Sequence, residues 1–323
     1  MTTAGGPARA LGRGINLGNM LEAPQEGDWG LRLEARYFAL AKEARFDTVR
    51  LPVRWSSHAA ATPPYRIDES FFQRVDFAIG EALRHDLNIV VNMHHYRQLD
   101  GDPLDAKEKP VDAQAGEERF VAMWRQIAER YRSMDQGRLY FELYNEPHNR
   151  LTAQAWNTLL ARTLVEVRAA DPGRFVVIGP AGYSKVDGID TLALPFFDRR
   201  IIVTVHLYEP HEFTHQGAAW VRGSGSWTDT PCCDEDQRAQ ITRRLDAAAS
   251  WRSRNLRPVW VGEFGSYERA DHASRLRYTR FMREEMEARG FPWAYWELAS
   301  RFGIYDPGAG AWRGELRDAL VAP

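Results

Sequence analysis

Two glutamates, Glu146 in "FELYNEPH" and Glu263 in "VWVGEFG", follow apolar runs that read as buried strands. In the first segment Asn145 and Glu146 end the run and Pro147 stops it, so the polar pair belongs at the C-terminal mouth of a strand. Other strand-like runs end the same way: "NMHHY" in His94 and His95, "HLY" in His206 and Tyr208, "YWEL" in Trp296. Two carboxylates across an aromatic-lined mouth suit hydrolysis of a glycosidic bond. One carboxyl protonates the leaving oxygen; the other attacks, or positions water against, the oxocarbenium-like centre. Metal-assisted hydrolysis is the rival, since His94, His95 and His206 resemble ligands. No H-x-H pair occurs, however, and neighbouring strand residues point to opposite sides, which sets His94 and His95 apart. No metal and no cofactor are expected.

These residues need a frame that gathers strand ends. Short apolar, β-branched runs recur at Arg13–Leu17, Thr48–Val53, Asn88–His94, Leu139–Asn145, Phe175–Pro180, Ile201–Tyr208, Pro258–Gly265 and Trp293–Leu298. Between them lie stretches such as "ESFFQRVDFAIGEALRHD" and "GEERFVAMWRQIAERYRS", with apolar residues every three or four positions. Eight strands separated by helices imply right-handed parallel crossovers, hence an α/β fold closed as a single (β/α)8 TIM barrel. An open doubly wound sheet is the alternative, but "GINLGN" lacks the phosphate-turn spacing and no Walker lysine follows. No linker or repeat divides the chain, so residues 1–323 read as one catalytic domain, with residues 1–11 a flexible N-terminal extension. Strict alternation puts His206 and Tyr208 on one face, and Glu263 on the face of Val259 and Val261, the expected inward layer. Glu142, on the face of Glu146, would lie deeper, as the buried partner of an arginine.

Composition narrows the partners. Formal net charge is −2, from 42 basic and 44 acidic side chains, with no basic block among aromatics; nucleic acid and anionic lipid are therefore not expected partners. No stretch of about 18 apolar residues occurs, so no membrane span is expected. Eleven Trp and twelve Tyr offer faces for stacking on sugar rings. Cys232 and Cys233 are adjacent, and a vicinal bridge would be strained, which favours two free thiols. The opening "MTTAGGPARALGRGINLGN" has no apolar signal region. The expected location is extracellular if the sequence is a trimmed mature form and cytoplasmic otherwise, and the expected state is a monomer.

With these motifs in view, the chain resembles glycoside hydrolase family 5, and within it the bacterial endo-β-1,4-glucanases (cellulases). The resemblance rests on "GINLGNMLEAP", "TVRLPVRW", "NMHHY", "YNEPH", "HLYEPHEFTHQGAAW", "VWVGEFG" and "WAYWELASRFGIYD", in family order from Gly14 to Asp306. It implies a retaining hydrolase of β-1,4-glucan, acting on polysaccharide or oligosaccharide. It makes Glu146 the general acid/base, Asn145 the ligand of the sugar 2-hydroxyl and Glu263 the nucleophile. Arg50 corresponds to the arginine that bonds the nucleophile, and His95 to a substrate histidine, with His94 beside it. His206 falls near the acid/base, Tyr208 near the nucleophile and Trp296 under the sugar at the cleavage point. Asn19, Glu22, His215 and Trp220 match further substrate-contacting positions. An endo-β-1,4-mannanase or dual-specificity enzyme is the alternative within the class. Outside it stand a metal-dependent barrel hydrolase and an inactive carbohydrate-binding barrel, the latter disfavoured because both glutamates are present. The stretch "VRGSGSWTDTPCCDED" departs from the relatives' pattern.

Overall fold

The structure, a computed structural model, describes residues 10–321 apart from 106, 107 and 109. Eight strands pair in parallel in chain order: β1 (Arg13–Asn16), β2 (Thr48–Leu51), β3 (Asn88–Asn92), β4 (Leu139–Glu142), β5 (Val176–Ile178), β6 (Ile201–His206), β7 (Val259–Phe264) and β8 (Trp293–Tyr295). β1 also pairs with β8, Gly14 lying opposite Ala294, which closes the (β/α)8 barrel and excludes an open sheet. Every strand begins within one residue of its expected start. Each ends one to three residues early, because the last residues leave the ladder to carry side chains into the mouth.

The longer helices are α1 (Ala35–Glu43), α2 (Glu69–Arg84), α3 (Ala113–Tyr131), α4 (Ala153–Ala170), α5 (Glu235–Asn255), α6 (His272–Ala288) and α7 (Gly314–Val321). In α2 the buried residues Phe71, Phe72, Val75, Ala78, Ile79 and Ala82 form one stripe, as a 3.6-residue period requires. Asp112, Thr152, Asp234 and Asp271 cap α3, α4, α5 and α6 by accepting from a backbone N–H three residues on. The crossover between β5 and β6 has only a 3-10 turn, Val186–Thr191, since "VDGIDTLALPFFDRR" carries Gly188 and Pro195 and no helical stripe.

Inside the barrel, Val90, Tyr140, Val177, Ile202, Trp260 and Ala294 from six strands form a buried apolar layer over Leu11. Two residues further along β3, β4 and β6 the inner face turns polar, with Asn92, Glu142 and Thr204 all buried. The outer faces, Val203, Val205, Val259 and Val261 among them, pack into the larger core with the helices. Val259 and Val261 therefore belong to the outward layer, contrary to the alternation argument. The reason is a register shift: Val205 pairs with Val261 but His206 pairs with Glu263, so β7 carries one extra residue, Gly262. That bulge turns Glu263 into the mouth.

Two other expectations change. Leu11 is fully buried as the plug of the inner layer, and Thr48 Oγ1 donates to its carbonyl at 2.6 Å; residues 1–9 of the expected extension lie outside the described residues. Cys232 and Cys233 are joined as a vicinal disulfide across a cis peptide that brings their Cα atoms to 3.1 Å, where the sequence reading favoured free thiols. The pair sits just before the cap of α5, held by Ser274 and Arg277 of α6.

Candidate active site

The C-terminal end of the barrel opens into a cleft of about 840 Å³. Asn19, Glu22, His94, His95, Asn145, Glu146, His206, Tyr208, His215, Trp220, Glu263 and Trp296 all line it. Arg50 alone among the expected residues does not. It lies fully buried in the barrel beneath the floor and acts from there.

All five guanidinium hydrogens of Arg50 are directed. Nε and Nη2 grip Glu142 at 2.6 and 2.7 Å, Nη1 reaches Glu263 Oε1 at 2.6 Å and Asn16 Oδ1 at 2.9 Å, and Nη2 also bonds Asn145 Oδ1 at 2.8 Å. The bidentate Glu142 bond fits the expected arginine partnership. Burial opposes the cation, yet the Glu142 and Glu263 carboxylates raise Arg50 above its ordinary value. One buried guanidinium thus orients Asn145 and Glu263 together.

The second oxygen of Glu263 accepts from Tyr208 at 2.8 Å, so both of its oxygens receive donors. Across the cleft, Glu146 Oε1 bonds His206 Nδ1 at 2.8 Å, and the same nitrogen stands 3.7 Å from Glu263. Burial disfavours a charge on His206, but the Glu263 and Glu146 carboxylates hold it above the usual imidazole value. Oxygens of Glu146 and Glu263 lie within 4.8 Å of each other, with His206 Nδ1 in reach of both. Glu146 follows the end of β4 with φ of 53°, a left-handed backbone that takes it out of the strand's alternation.

His94 and His95 do not diverge. β3 ends at Asn92, alternation ends with it, and the two rings meet edge to face with centroids 4.6 Å apart. His94 Nδ1 accepts from Asn92 Nδ2 at 3.1 Å, and its ring stacks on Trp296 at 5.5 Å and 10°. Burial, with Arg54 and Arg97 nearby, pushes His95 down to about 3, so it is neutral in the cleft and suited to bonding hydroxyls. Glu22 is buried; it accepts from the backbone N–H of Asn19 and, at 2.9 Å, of Met20, and burial pushes it up to about 8. His215 contacts Tyr208 and Phe302, whereas Trp220 is 62% exposed on the rim against Tyr267.

One ligand spacing escapes the sequence reading: His211 to His215 reads H-E-x-x-H. It occupies a four-residue helix, His211–Thr214, followed by His215, whose Nδ1 is 2.9 Å from Thr214 Oγ1. Among the described residues, the groups with three convergent metal-ligating atoms lie elsewhere: Glu146, His206 and Glu263, and Asp100, Asp102 and His148. The first already has its oxygens bonded to Arg50, Tyr208 and His206. The sequence reading also misses Trp29, Tyr183, Lys185 and Arg222 of the cleft wall, which arrive on loops without periodic pattern. Asn16, which bonds Arg50 and the carbonyls of Gly262 and Tyr295, was signalled only as a polar residue in the "GIN" strand.

Comparison with known proteins supplies the relatives. The family described as cellulase (glycosyl hydrolase family 5) matches residues 11–301. Endoglucanase H of Acetivibrio thermocellus is 33% identical over 98% of this chain and 33% of its own length. The cellulase/esterase CelE of the same organism is 30% identical over 91% of this chain and 36% of its own. The chain thus spans about a third of the length of these curated relatives. Cel5A of Thermotoga maritima, solved in complex with cellobiose, superposes with a TM-score of 0.92 at 42% identity, covering 98% of this chain and 99% of that one. The same enzyme has been solved with mannotriose.

Proposed function

The chain belongs to the cellulase family, glycosyl hydrolase family 5, and on that footing we propose that it is a retaining endo-β-1,4-glucanase. The observation that carries the reading is the pair of carboxylates from β4 and β7, with oxygens within 4.8 Å. That closeness suits a covalent intermediate, for which carboxyl groups stand roughly 5–5.5 Å apart, and not the wider gap of an inverting enzyme.

Glu263, held on both oxygens by Arg50 and Tyr208, is aimed as a nucleophile. It attacks the anomeric carbon while the carbon–oxygen bond to the leaving sugar breaks and Glu146 gives that oxygen its proton. Once Glu263 is an ester its charge is gone, and Glu146, now ionised, takes a proton from water as the water attacks the same carbon. The hydrolysed sugar leaves and both carboxyl groups return to their first state. His206 touches Glu146 and approaches Glu263, so it follows the proton between these states. Asn145, fixed by Arg50, presents its amide to the sugar 2-hydroxyl, where bonds strengthen at the transition state. Trp296 and neutral His95 supply the apolar floor and the hydroxyl contacts.

Glucan is preferred because the matched curated relatives are named as an endoglucanase and a cellulase/esterase. Glu263→Ala should abolish turnover and recover partly with azide, giving inverted product. Glu146→Ala should still cleave substrates with excellent leaving groups; loss of one catalytic group costs on the order of 10²–10⁴ in rate. Proton NMR of the first product anomer reads the stereochemistry, and α-product from a β-glucan rejects the mechanism. Turnover on carboxymethylcellulose, β-glucan, glucomannan, galactomannan and xylan reads the substrate, and a preference for galactomannan rejects the glucan assignment.

A further inference from the structure

Behind Glu146 lies a cluster that the reaction as described does not use. The chain turns at Glu146 and again at Asn149, both with left-handed φ of 53° and 50°, and neither is glycine. Such backbone persists only where its surroundings over-determine it. Here they do. His148 Nδ1 donates to the carbonyl of Glu146 itself at 2.6 Å, and its Nε2 lies 3.1 Å from Asp102 Oδ2. Asp102 Oδ1 accepts from Asn149 at 2.6 Å, and the backbone N–H of Arg150 bonds the Asp100 carbonyl at 3.0 Å. The Pro147 carbonyl accepts from Gly182 at 2.8 Å and Tyr183 at 3.2 Å, and the Tyr183 ring stacks on His148 at 4.4 Å and 19°.

A carbonyl can only accept, so Nδ1 carries a proton, and the second nitrogen faces a carboxylate. Asp100 Oδ1 is also 3.6 Å from Nδ1, while its other oxygen bonds Tyr144. Burial works against a charge on His148, but Asp100, the Glu146 carbonyl and Asp102 together raise it above the ordinary imidazole value. The imidazole thus lies between the side chains of Asp100 and Asp102. Its position is fixed from the loop at 100–102 on one side and from Tyr183 on the other.

We propose that His148 is a positioning residue for the acid/base. By bonding the Glu146 carbonyl and anchoring on Asp102, it locks the left-handed backbone that aims the Glu146 carboxyl at the leaving oxygen. His206 holds the carboxyl end of the same residue, so Glu146 is fixed at both ends. The inference rests on the reading of Glu146 as acid/base. It adds that the direction of proton delivery is set outside the cleft, by the residue two places further along the chain.

The test is leaving-group dependence, measured as kcat/KM on aryl cellobiosides from a dinitrophenyl to a poor phenyl leaving group. His148→Phe keeps a ring against Tyr183 and loses both hydrogen bonds. It should cut activity on the poor leaving group about 10- to 100-fold more than on the dinitrophenyl substrate, the range expected when a reacting group is misplaced by about 1 Å. His148→Asn, whose amide can replace the Nδ1 donor, should restore most of the ratio. A merely structural role lowers both substrates alike through the folded fraction. Equal losses in His148→Phe, or an Asn variant as selective in its loss as the Phe variant, overturn the proposal. If His148→Phe does not fold, Asp102→Asn, which loosens the anchor and leaves the ring, is read the same way: a changed ratio supports the proposal and an unchanged one overturns it. Glu146→Ala measured alongside separates the two readings. If it shows no leaving-group dependence, the acid/base assignment fails; if it does and His148→Phe does not, only the positioning role fails.

Discussion

At the scale of single residues, Trp296 shows how an aromatic side chain divides between packing and function. One face stacks on His94 and the ring borders the cleft, half-buried, above Gly18, where a Cβ would come within 2.9 Å of the indole. A core indole truncated to alanine costs about 3–5 kcal/mol of stability, with activity following the folded fraction. A sugar platform instead loses transition-state contacts made by the distorted ring, so kcat falls beyond any rise in KM. Trp296→Ala should therefore lower kcat per folded molecule while melting changes little; sharply reduced melting with unchanged kcat would assign the ring to the core. Residues of this kind were legible in the sequence because a polar or wide aromatic group at the end of an apolar run has few structural uses there. Alternation also placed Glu142 as the buried partner of an arginine, since a charge inside a strand needs one, whereas Arg50 was identified through the family resemblance. It could not find Tyr183 or the Asp100–Asp102–His148 cluster, whose positions depend on loops meeting in space.

At the scale of elements, the strands were legible as to order and start, because alternation and flanking helices report where an apolar run enters the sheet. Their C-terminal ends were not, since those residues answer to the cleft more than to the ladder. β7 shows the cost of assuming regular alternation. Its bulge at Gly262 leaves Val259 and Val261 outside and brings Glu263 to the mouth, and only glycine fits there. A Cβ at Gly262 would lie 2.5 Å from Thr204 Oγ1 and 3.2 Å from His206 Nε2. Gly262→Ala should then destabilise by about 1–3 kcal/mol, as overpacking does. It should also move His206 off Glu146, lowering kcat about 10- to 100-fold. Urea unfolding beside kcat on β-glucan checks both, and a variant with native midpoint and native kcat would show that the bulge has slack to absorb a methyl group.

At the scale of the whole molecule, buried carboxyl groups stand around the barrel mouth, and each gives stability a pH dependence of definite sign. Glu297, after β8, accepts from the backbone N–H groups of Ala299 and Ser300 at 2.8 and 2.6 Å, yet burial pushes it up to about 7. Burial, with the Glu297 charge adding to it, pushes Glu22, after β1, up to about 8, and burial raises Asp100 to about 7. The unfolded chain releases these protons near 4, so between roughly pH 4.5 and 8 these carboxyl groups bind more protons folded than unfolded, and their contribution to stability falls as pH rises. His206 and His148, also raised, add to the same trend, because the stability their charges give is lost as pH passes their folded values. Carboxylates held low by arginines, such as Glu26 beside Arg74 and Asp105 beside Arg54, act oppositely but titrate below that window, and the histidines that burial holds low, His95 and His215 at about 3 among them, act oppositely until the unfolded imidazole has lost its proton near pH 7. For Glu297 the shift from 4.5 to about 7 corresponds to on the order of 3 kcal/mol between acid and alkaline conditions. The urea midpoint should accordingly drop from pH 7 to pH 9, and the difference between the parent and a Glu297→Gln variant from pH 5 to pH 9 isolates the Glu297 share. Glu297→Gln, which keeps an acceptor oxygen and cannot ionise, should flatten the drop by a measurable share and leave the acid-side midpoint near the parent's. A glutamine variant with the parent's slope from pH 5 to pH 9 would mean that Glu297 stays ionised in the folded barrel at neutral pH. The Ala299 and Ser300 donors would then outweigh its burial.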